Sequence, residues 1–116
     1  MVQYIGISSN PAVLKRVRRW LTETYGSSIS RCVESKAEVA SLCAMSSDVC
    51  AIITDLPQGM LLHNWFDELV SIAGDAQIIF LNSGAANISV PAGDRRFTII
   101  PMSRLEAELN RALRVH

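Results

Sequence analysis

The sequence predicts an α/β protein: one five-stranded parallel sheet with helices on both faces, built by residues 1–116 as a single domain. Three observations support this prediction. Short apolar runs alternate along the chain with longer segments of helical periodicity. In two of these runs, at 49–53 and 78–81, consecutive residues are all apolar, so both faces of a strand would be apolar, as in strands that helices cover on both faces. Strands that alternate with helices are joined by crossovers, and crossovers favour parallel pairing.

The first strand and helix are predicted from an apolar run and the helix-end signals that follow it. The strand is expected at 2–7. Ser9 or Asn10 can cap the next helix, because a short polar side chain accepts hydrogen bonds from the free N–H groups of the first turn. Pro11 suits that first turn, and Gly26 ends the helix. The apolar positions of this helix are Val13, Val17, Trp20 and Leu21.

The second strand and helix carry a weaker pattern. Residues 28–34 alternate, with Ile29 and Val33 as the inward positions of a strand. Ser35 can cap the next helix, and Glu38 stands at the third position of a capping box. The apolar face of this helix is expected to consist of Ala37, Ala40, Cys43 and Ala44.

The central part of the chain is predicted to contain the two buried strands with a helix between them. The strand at 49–53 ends in a polar turn, and Gly74 ends the third helix before the strand at 78–81. Cys50 is expected to begin the first of these buried strands. The apolar positions of the third helix are Leu61, Trp65, Leu69 and Ile72.

The last part of the chain interrupts the regular alternation. Residues 85–94 carry Pro91 and Gly93 and show little periodicity, so we expect the helix between the fourth and fifth strands to be shortened or absent. The fifth strand is expected at 97–100, and Ser103 is expected to cap the last helix. Leu105, Leu109 and Leu113 line one face of that helix.

Composition and charge exclude several classes of protein. Eleven Lys and Arg residues balance eleven Asp and Glu residues, whereas dedicated nucleic-acid binders are usually basic, so we expect no direct binding of nucleic acid. No apolar run approaches the length of a membrane span, and the N-terminus lacks the pattern of a signal peptide. The three cysteines have no CxxC spacing, which indicates reduced thiols and a cytoplasmic location.

Asp55 is the single candidate for chemistry at the end of a buried strand. No loop carries the glycine pattern of a phosphate-binding site, and no cluster of ligands indicates a metal, so we expect no cofactor and no metal. Asp55 is either a turn residue that bonds to loop amides or a carboxylate that accepts a phosphoryl group. The second role requires a divalent cation and a cationic side chain.

Three segments resemble the receiver domain of two-component response regulators, a flavodoxin-like fold. The residues Ile7-Ser8-Ser9-Asn10-Pro11 resemble the end of the family's first strand, which carries an acidic pair. The stretch 52–57 resembles the strand that bears the phospho-accepting aspartate, at Asp55. The stretch 97–103 resembles the lysine-proline motif before the last helix. The resemblance covers essentially the whole chain in length and element order.

The departures from the family pattern imply a degenerate receiver, or pseudo-receiver. Ser8 and Ser9 stand where the family has the acidic pair that binds Mg²⁺. Ile100 stands where it has a lysine, and Asn82 stands at or near its hydroxyl residue. Asp55 alone carries over, as a vestigial phospho-acceptor. Because Mg²⁺ prefers carboxylate ligands, the resemblance with these departures implies that no enzyme activity remains.

Three functions are consistent with this sequence. We expect a non-catalytic regulatory module that acts by protein–protein interaction, as dimerisation or docking to an output domain or partner, without Mg²⁺-dependent phosphorylation. The alternative is an atypical phosphorylatable receiver in a response regulator that uses Asp55. A third candidate is an unrelated small enzyme of flavodoxin-like fold, for which no nucleophile–base pair is visible. Metal dependence separates the first two functions.

The first helix carries a run of cations that indicates an interaction surface. Lys15, Arg16, Arg18 and Arg19 lie within five positions, and the topology places the last helix on the same side of the sheet. Such a surface is either a solvated helix face or a docking site for an acidic partner. Phe66 lies in a second apolar stripe of the third helix, which suggests a contact patch. The residues of the expected interaction surface are Arg16, Arg19, Phe66, Arg104 and Arg111.

Overall fold

The computed structural model describes residues 2–46, 48–82 and 97–113, and it contains five strands and four helices in this part of the chain. The strands run parallel in a single sheet, which confirms the predicted fold class. In chain order the elements are β1 (Tyr4–Ile7), α1 (Pro11–Tyr25), β2 (Ser30–Val33), α2 (Lys36–Met45), β3 (Ala51–Thr54), α3 (Leu62–Ala73), β4 (Gln77–Asn82), β5 (Phe97–Pro101), a 3₁₀ turn (Met102–Arg104) and α4 (Leu105–Leu113).

The strand order is β2-β1-β3-β4-β5, so the N-terminal strand lies inside the sheet. β1 pairs with β2 on one side and with β3 on the other, and Ile7 is level with Thr54 at the carboxyl ends of β1 and β3. The loops that follow these two strands therefore meet at one edge of the sheet. This is the edge at which open parallel sheets collect their functional groups.

Helices cover both faces of the sheet and enclose two apolar cores. Helices α1 and α4 pack on one face, where Arg16 and Trp20 of α1 bond to Glu106 and Asn110 of α4. Helices α2 and α3 pack on the other face, over β1, β3 and β4. The shared side of the first and last helices is confirmed. The most buried large side chains are Ile5, Leu21, Ile52, Ile53, Leu69, Ile78, Ile79, Leu81, Leu105 and Leu109.

The predicted helix ends are largely confirmed. The Asn10 side chain accepts a hydrogen bond from the N–H of Ala12 at 3.0 Å, and Gly26 ends α1 with φ of 88°. Ser35 caps α2 by accepting from the N–H of Glu38 at 3.3 Å. These caps satisfy N–H groups that the helix itself leaves free. Gly74, with φ of 62°, ends α3 as expected.

Three predicted features of the helices are wrong. Leu61, expected on the apolar face of the third helix, precedes α3 as its N-cap and is 60% exposed. In α2 the buried residue is Val39, with Leu42 and Cys43 partly buried beside it, whereas Ala37, Ala40 and Ala44 are exposed. The larger side chains fill the space next to α3, because alanine buries too little surface to orient the helix. Ser103 does not cap the last helix; it lies within the 3₁₀ turn that connects β5 to α4.

The thiol of Cys50 is exposed, so the expectation that it begins a buried strand is wrong: β3 starts one residue later. Cys32 and Cys43 are half-buried, and all three cysteines are free. The expectation of a shortened or absent helix at 85–94 lies outside the described residues. None of the helices in the described ranges combines the length and hydropathy that crossing a bilayer requires.

Candidate functional site

The structure brings Ser8 and Asp55 into contact at the carboxyl ends of β1 and β3. The hydroxyl of Ser8 donates a hydrogen bond to Oδ2 of Asp55 at 2.9 Å. Ser8 is 3% exposed, whereas Asp55 is half-buried. Ser8 Oγ also accepts from the backbone N–H of Asn10 at 3.0 Å. The Asp55 carboxylate is therefore connected through one serine to the residue that caps α1.

Thr54 fixes the other side of Asp55, and the sequence patterns did not single it out. Its buried hydroxyl donates to the backbone carbonyl of Asp55 at 2.8 Å and accepts from Nε1 of Trp65 at 2.9 Å. Trp65 is 5% exposed, so this bond satisfies an indole N–H that water does not reach. The sequence offers one signal for this role: Thr54 is the one polar residue of the run 51–54 and stands at its carboxyl end.

A cavity of about 190 Å³ opens beside the Asp55 carboxylate. Ser9 and Glu34 line it together with Asp55, and Lys36 contributes a cation. The Lys36 ammonium, however, is 2.7 Å from Oε1 of Glu68, so it is engaged by a carboxylate of α3. The cavity thus contains two carboxylates and one cation that is already paired.

Burial raises the pKa of the Asp55 carboxyl, because it penalises the ionised form. The hydrogen bond from Ser8 and a bond from the backbone N–H of Asp55 oppose this rise. Among the residues that the structure describes, no cationic side chain contributes to the pKa of Asp55. Ser8 therefore stabilises the Asp55 carboxylate only as a neutral hydrogen-bond donor. An ion pair with a cation would stabilise this carboxylate far more strongly.

The remaining positions of the expected pocket take different places in the structure. Ile100 is 2% exposed and belongs to the core under α1 and α4. Asn82 ends β4, level with Pro101 of β5, and is half-buried. Ser9 is exposed at the mouth of the cavity. Ser8, Ser9 and Asp55 are thus gathered at one place, whereas Ile100 contributes only to packing.

The donor set around Asp55 does not fit the Mg²⁺ ion that the resemblance to receiver domains implies. Mg²⁺ requires several oxygen ligands in near-octahedral geometry and is usually held by carboxylates. Here the buried Ser8 side chain offers a hydroxyl in place of a carboxylate, and that hydroxyl donates its proton to Oδ2 of Asp55. Within 2–46, 48–82 and 97–113, no three His, Cys, Asp or Glu side chains group closely enough to hold a metal ion.

The expected interaction surface changes in the structure. Arg16 forms an ion pair with Glu106 at 3.0 Å, Arg19 with Glu23 at 3.3 Å and Arg111 with Glu108 at 3.8 Å. The face shared by α1 and α4 is therefore largely neutralised, although Arg104 is exposed.

The expected contact patch around Phe66 is wrong. Phe66 is 5% exposed, and its ring packs edge-on against Phe97 with 4.7 Å between the ring centroids. Helix α3 has two apolar stripes because it is covered by both the sheet and α2.

Comparison with known proteins identifies the fold. No protein-family model matches the chain, and no curated protein matches it. Among solved structures, the crystal structure of a response regulator receiver domain protein from Bacillus halodurans is similar, with a TM-score of 0.71. The similarity covers 95% of each chain at 10% sequence identity. The similarity shows that this chain has a receiver-like fold.

Proposed function

We propose that the chain is a pseudo-receiver: a regulatory module that acts by protein–protein interaction and is not phosphorylated through Mg²⁺. The hydrogen bond from Ser8 Oγ to Asp55 Oδ2, at 2.9 Å, is the observation that carries this proposal. A neutral, buried donor occupies the place beside Asp55 where an acidic pair would bind the metal. Since the described residues form the five-stranded sheet and its covering helices, their surfaces remain available for a partner, which is an output domain, a separate protein or a second copy.

The electrostatics around Asp55 also oppose phosphoryl transfer. A carboxylate that accepts a phosphoryl group must be ionised, and cations must offset the charge that develops in the transition state. Burial favours the neutral form of Asp55. Lys36 is bound to Glu68, and Ile100 places an apolar side chain in the core. Among the described residues, no free cation is aimed at the carboxylate.

An NMR titration of amide shifts with Mg²⁺ and beryllofluoride, a mimic of the phosphoryl group, tests this proposal. We expect no shifts centred on the site. Ser9→Asp is the positive control, because Ser9 is exposed at the mouth of the cavity and an added carboxylate there raises affinity for Mg²⁺. Shifts at Ser9, Asp55 and Asn82 in the parent protein that disappear in Asp55→Asn would overturn the proposal.

The alternative is an atypical receiver that is phosphorylated at Asp55. The observation in its favour is that Glu34 and Lys36 line the same cavity as Asp55 and would supply one oxygen ligand and one cation. Incubation with acetyl phosphate and Mg²⁺, followed by mass spectrometry, measures this activity directly. A phosphorylated product that depends on both Asp55 and Lys36 would establish the alternative and remove the first proposal.

A further inference from the structure

A trough follows the crease between α1 and the edge strand β2. It consists of two adjoining depressions, of about 670 Å³ and about 240 Å³, that share Arg18 and Thr22. The larger depression follows α1 from Pro11 to Glu23. The smaller one extends across the crease to Arg31 of β2. We call this surface the α1–β2 trough.

Arg19 is paired with Glu23 inside the α1–β2 trough, but the other cations of the trough are not neutralised by a carboxylate of the described residues. Lys15 and Arg18 are exposed, and in the described part of the chain no carboxylate lies within ion-pair distance of either. Arg31 donates to the backbone carbonyls of Ser27 at 2.6 Å and Ser30 at 2.8 Å, which orient its guanidinium without neutralising it.

The trough is positively charged in a chain that is neutral overall. Its cationic side chains are Lys15, Arg18, Arg19 and Arg31, and its carboxylates are Glu23 and Glu34. The trough therefore carries a net charge of +2, while the whole chain has a net charge of zero. Charge of one sign collected in a groove selects partners of the opposite sign and accelerates their association.

The shape of the trough favours a polypeptide. Its lining includes Leu14, and the stems of the long cations add apolar surface. Strand β2 pairs only with β1 among the described strands. Arg31 already occupies the Ser30 carbonyl at 2.8 Å, and the rest of the outer main-chain edge of β2 can accept an added strand. The lining contains no aromatic side chain on which a nucleic-acid base could stack.

We propose that the α1–β2 trough binds an extended acidic segment of a protein partner. This inference rests on the proposed function, since it gives the docking module its docking surface. The main chain of the segment pairs with β2. Acidic side chains on one side of the segment contact Arg18 and Arg31, and apolar side chains contact the Leu14 end of the trough.

Fluorescence anisotropy tests the inference with a fluorescein-labelled peptide that alternates glutamate and valine. We expect this peptide to bind, with an affinity that falls steeply as salt rises, and its lysine counterpart not to bind. Arg18→Glu should weaken binding by about tenfold or more, the change that about 1.4 kcal/mol produces. Lys15→Glu, at an exposed position of the trough, should weaken it in the same direction.

Arg111→Glu on α4 is the matched control, because it makes the same change in net charge outside the trough. It should leave the peptide affinity within about twofold, since screened charges outside a groove add little. Equal losses in Arg111→Glu and Arg18→Glu would overturn the inference, and so would a failure of the peptide to bind the parent protein. Tighter binding of a single-stranded oligonucleotide than of the peptide would overturn it as well.

The Mg²⁺ and beryllofluoride titration, run on the same sample, separates this inference from the proposed function. If the titration shows no shifts and the peptide does not bind, only the inference about the α1–β2 trough is overturned. Site-centred shifts overturn the non-catalytic function, whatever the peptide does.

Discussion

Replacing Thr54 with valine removes the hydroxyl that connects β3 to α3 and to the Asp55 loop, while the shape of the side chain is kept. The substitution leaves the indole N–H of Trp65 buried without its 2.9 Å acceptor. A buried donor without a partner costs about 1–3 kcal/mol. The Asp55 carbonyl also loses a 2.8 Å bond, but water can reach this half-buried residue and replace most of it.

We therefore expect Thr54→Val to lower the free energy of unfolding by about 2 kcal/mol. With a urea m-value of roughly 1–3 kcal/mol/M, the midpoint of unfolding falls by about 1 M. Circular dichroism during urea titration measures this shift. Thr98→Val is the matched control, because Gln77 Nε2 donates to that hydroxyl at 3.4 Å in a half-buried position. The control should lose less than about 0.5 kcal/mol.

A double-mutant cycle identifies the bond responsible. In a Trp65→Phe background no indole N–H is left to satisfy, so Thr54→Val should cost less than about 1 kcal/mol there. The reasoning is refuted if Thr54→Val and Thr98→Val destabilise the protein equally. It is also refuted if the cost of Thr54→Val is unchanged by Trp65→Phe.

Three further predictions concern stability. Gly6→Ala places a methyl group 2.7 Å from Cγ1 of Val17, so the free energy of unfolding should fall by about 1–3 kcal/mol. Adding Val17→Ala should restore part of the loss in the urea midpoint. Purely additive losses in the double variant would contradict this. Ser35→Ala removes the cap on the Glu38 N–H and should cost about 1 kcal/mol, measured by thermal unfolding. Burial raises the pKa of Asp55 in the folded protein. The protonated carboxyl therefore stabilises the folded state below the unfolded pKa of about 3.9, and this stabilisation is lost as pH rises through the folded pKa. Asp55→Asn should therefore be more stable than the parent at neutral pH, and its advantage should disappear in acid.

The element ends were predictable because each depends on partners that are close in the sequence. Asn10 bonds two residues ahead, and Ser35 bonds three residues ahead. Gly26 and Gly74 adopt positive φ, which few other residues tolerate. Interactions of this kind depend only on residues that are close in the sequence, so the fold class and the ends of α1 and α3 could be predicted.

The contacts of the site could not be predicted, because they join residues that are distant in the sequence. Ser8 and Asp55 are 47 positions apart, and the sequence indicated only that both follow strands. The helical periodicity shows that Phe66 lies in an apolar stripe, but it does not show which element covers that stripe. In α2 several faces had similar hydropathy, so the size of Val39, not the pattern, determined which face is buried.

The two tryptophans lie on opposite faces of the sheet, and each indole N–H has a different acceptor. Trp20 donates to Oδ1 of Asn110 on α4 at 3.3 Å, whereas Trp65 donates to Thr54 beside Asp55. Replacing either one with phenylalanine leaves a single tryptophan, whose emission can be excited at wavelengths where the two tyrosines hardly absorb. The Trp20→Phe protein would then emit from beside Asp55, and the Trp65→Phe protein from the contact between α1 and α4. Comparing the two emission spectra on addition of a partner would assign the change to one face of the sheet without an attached label.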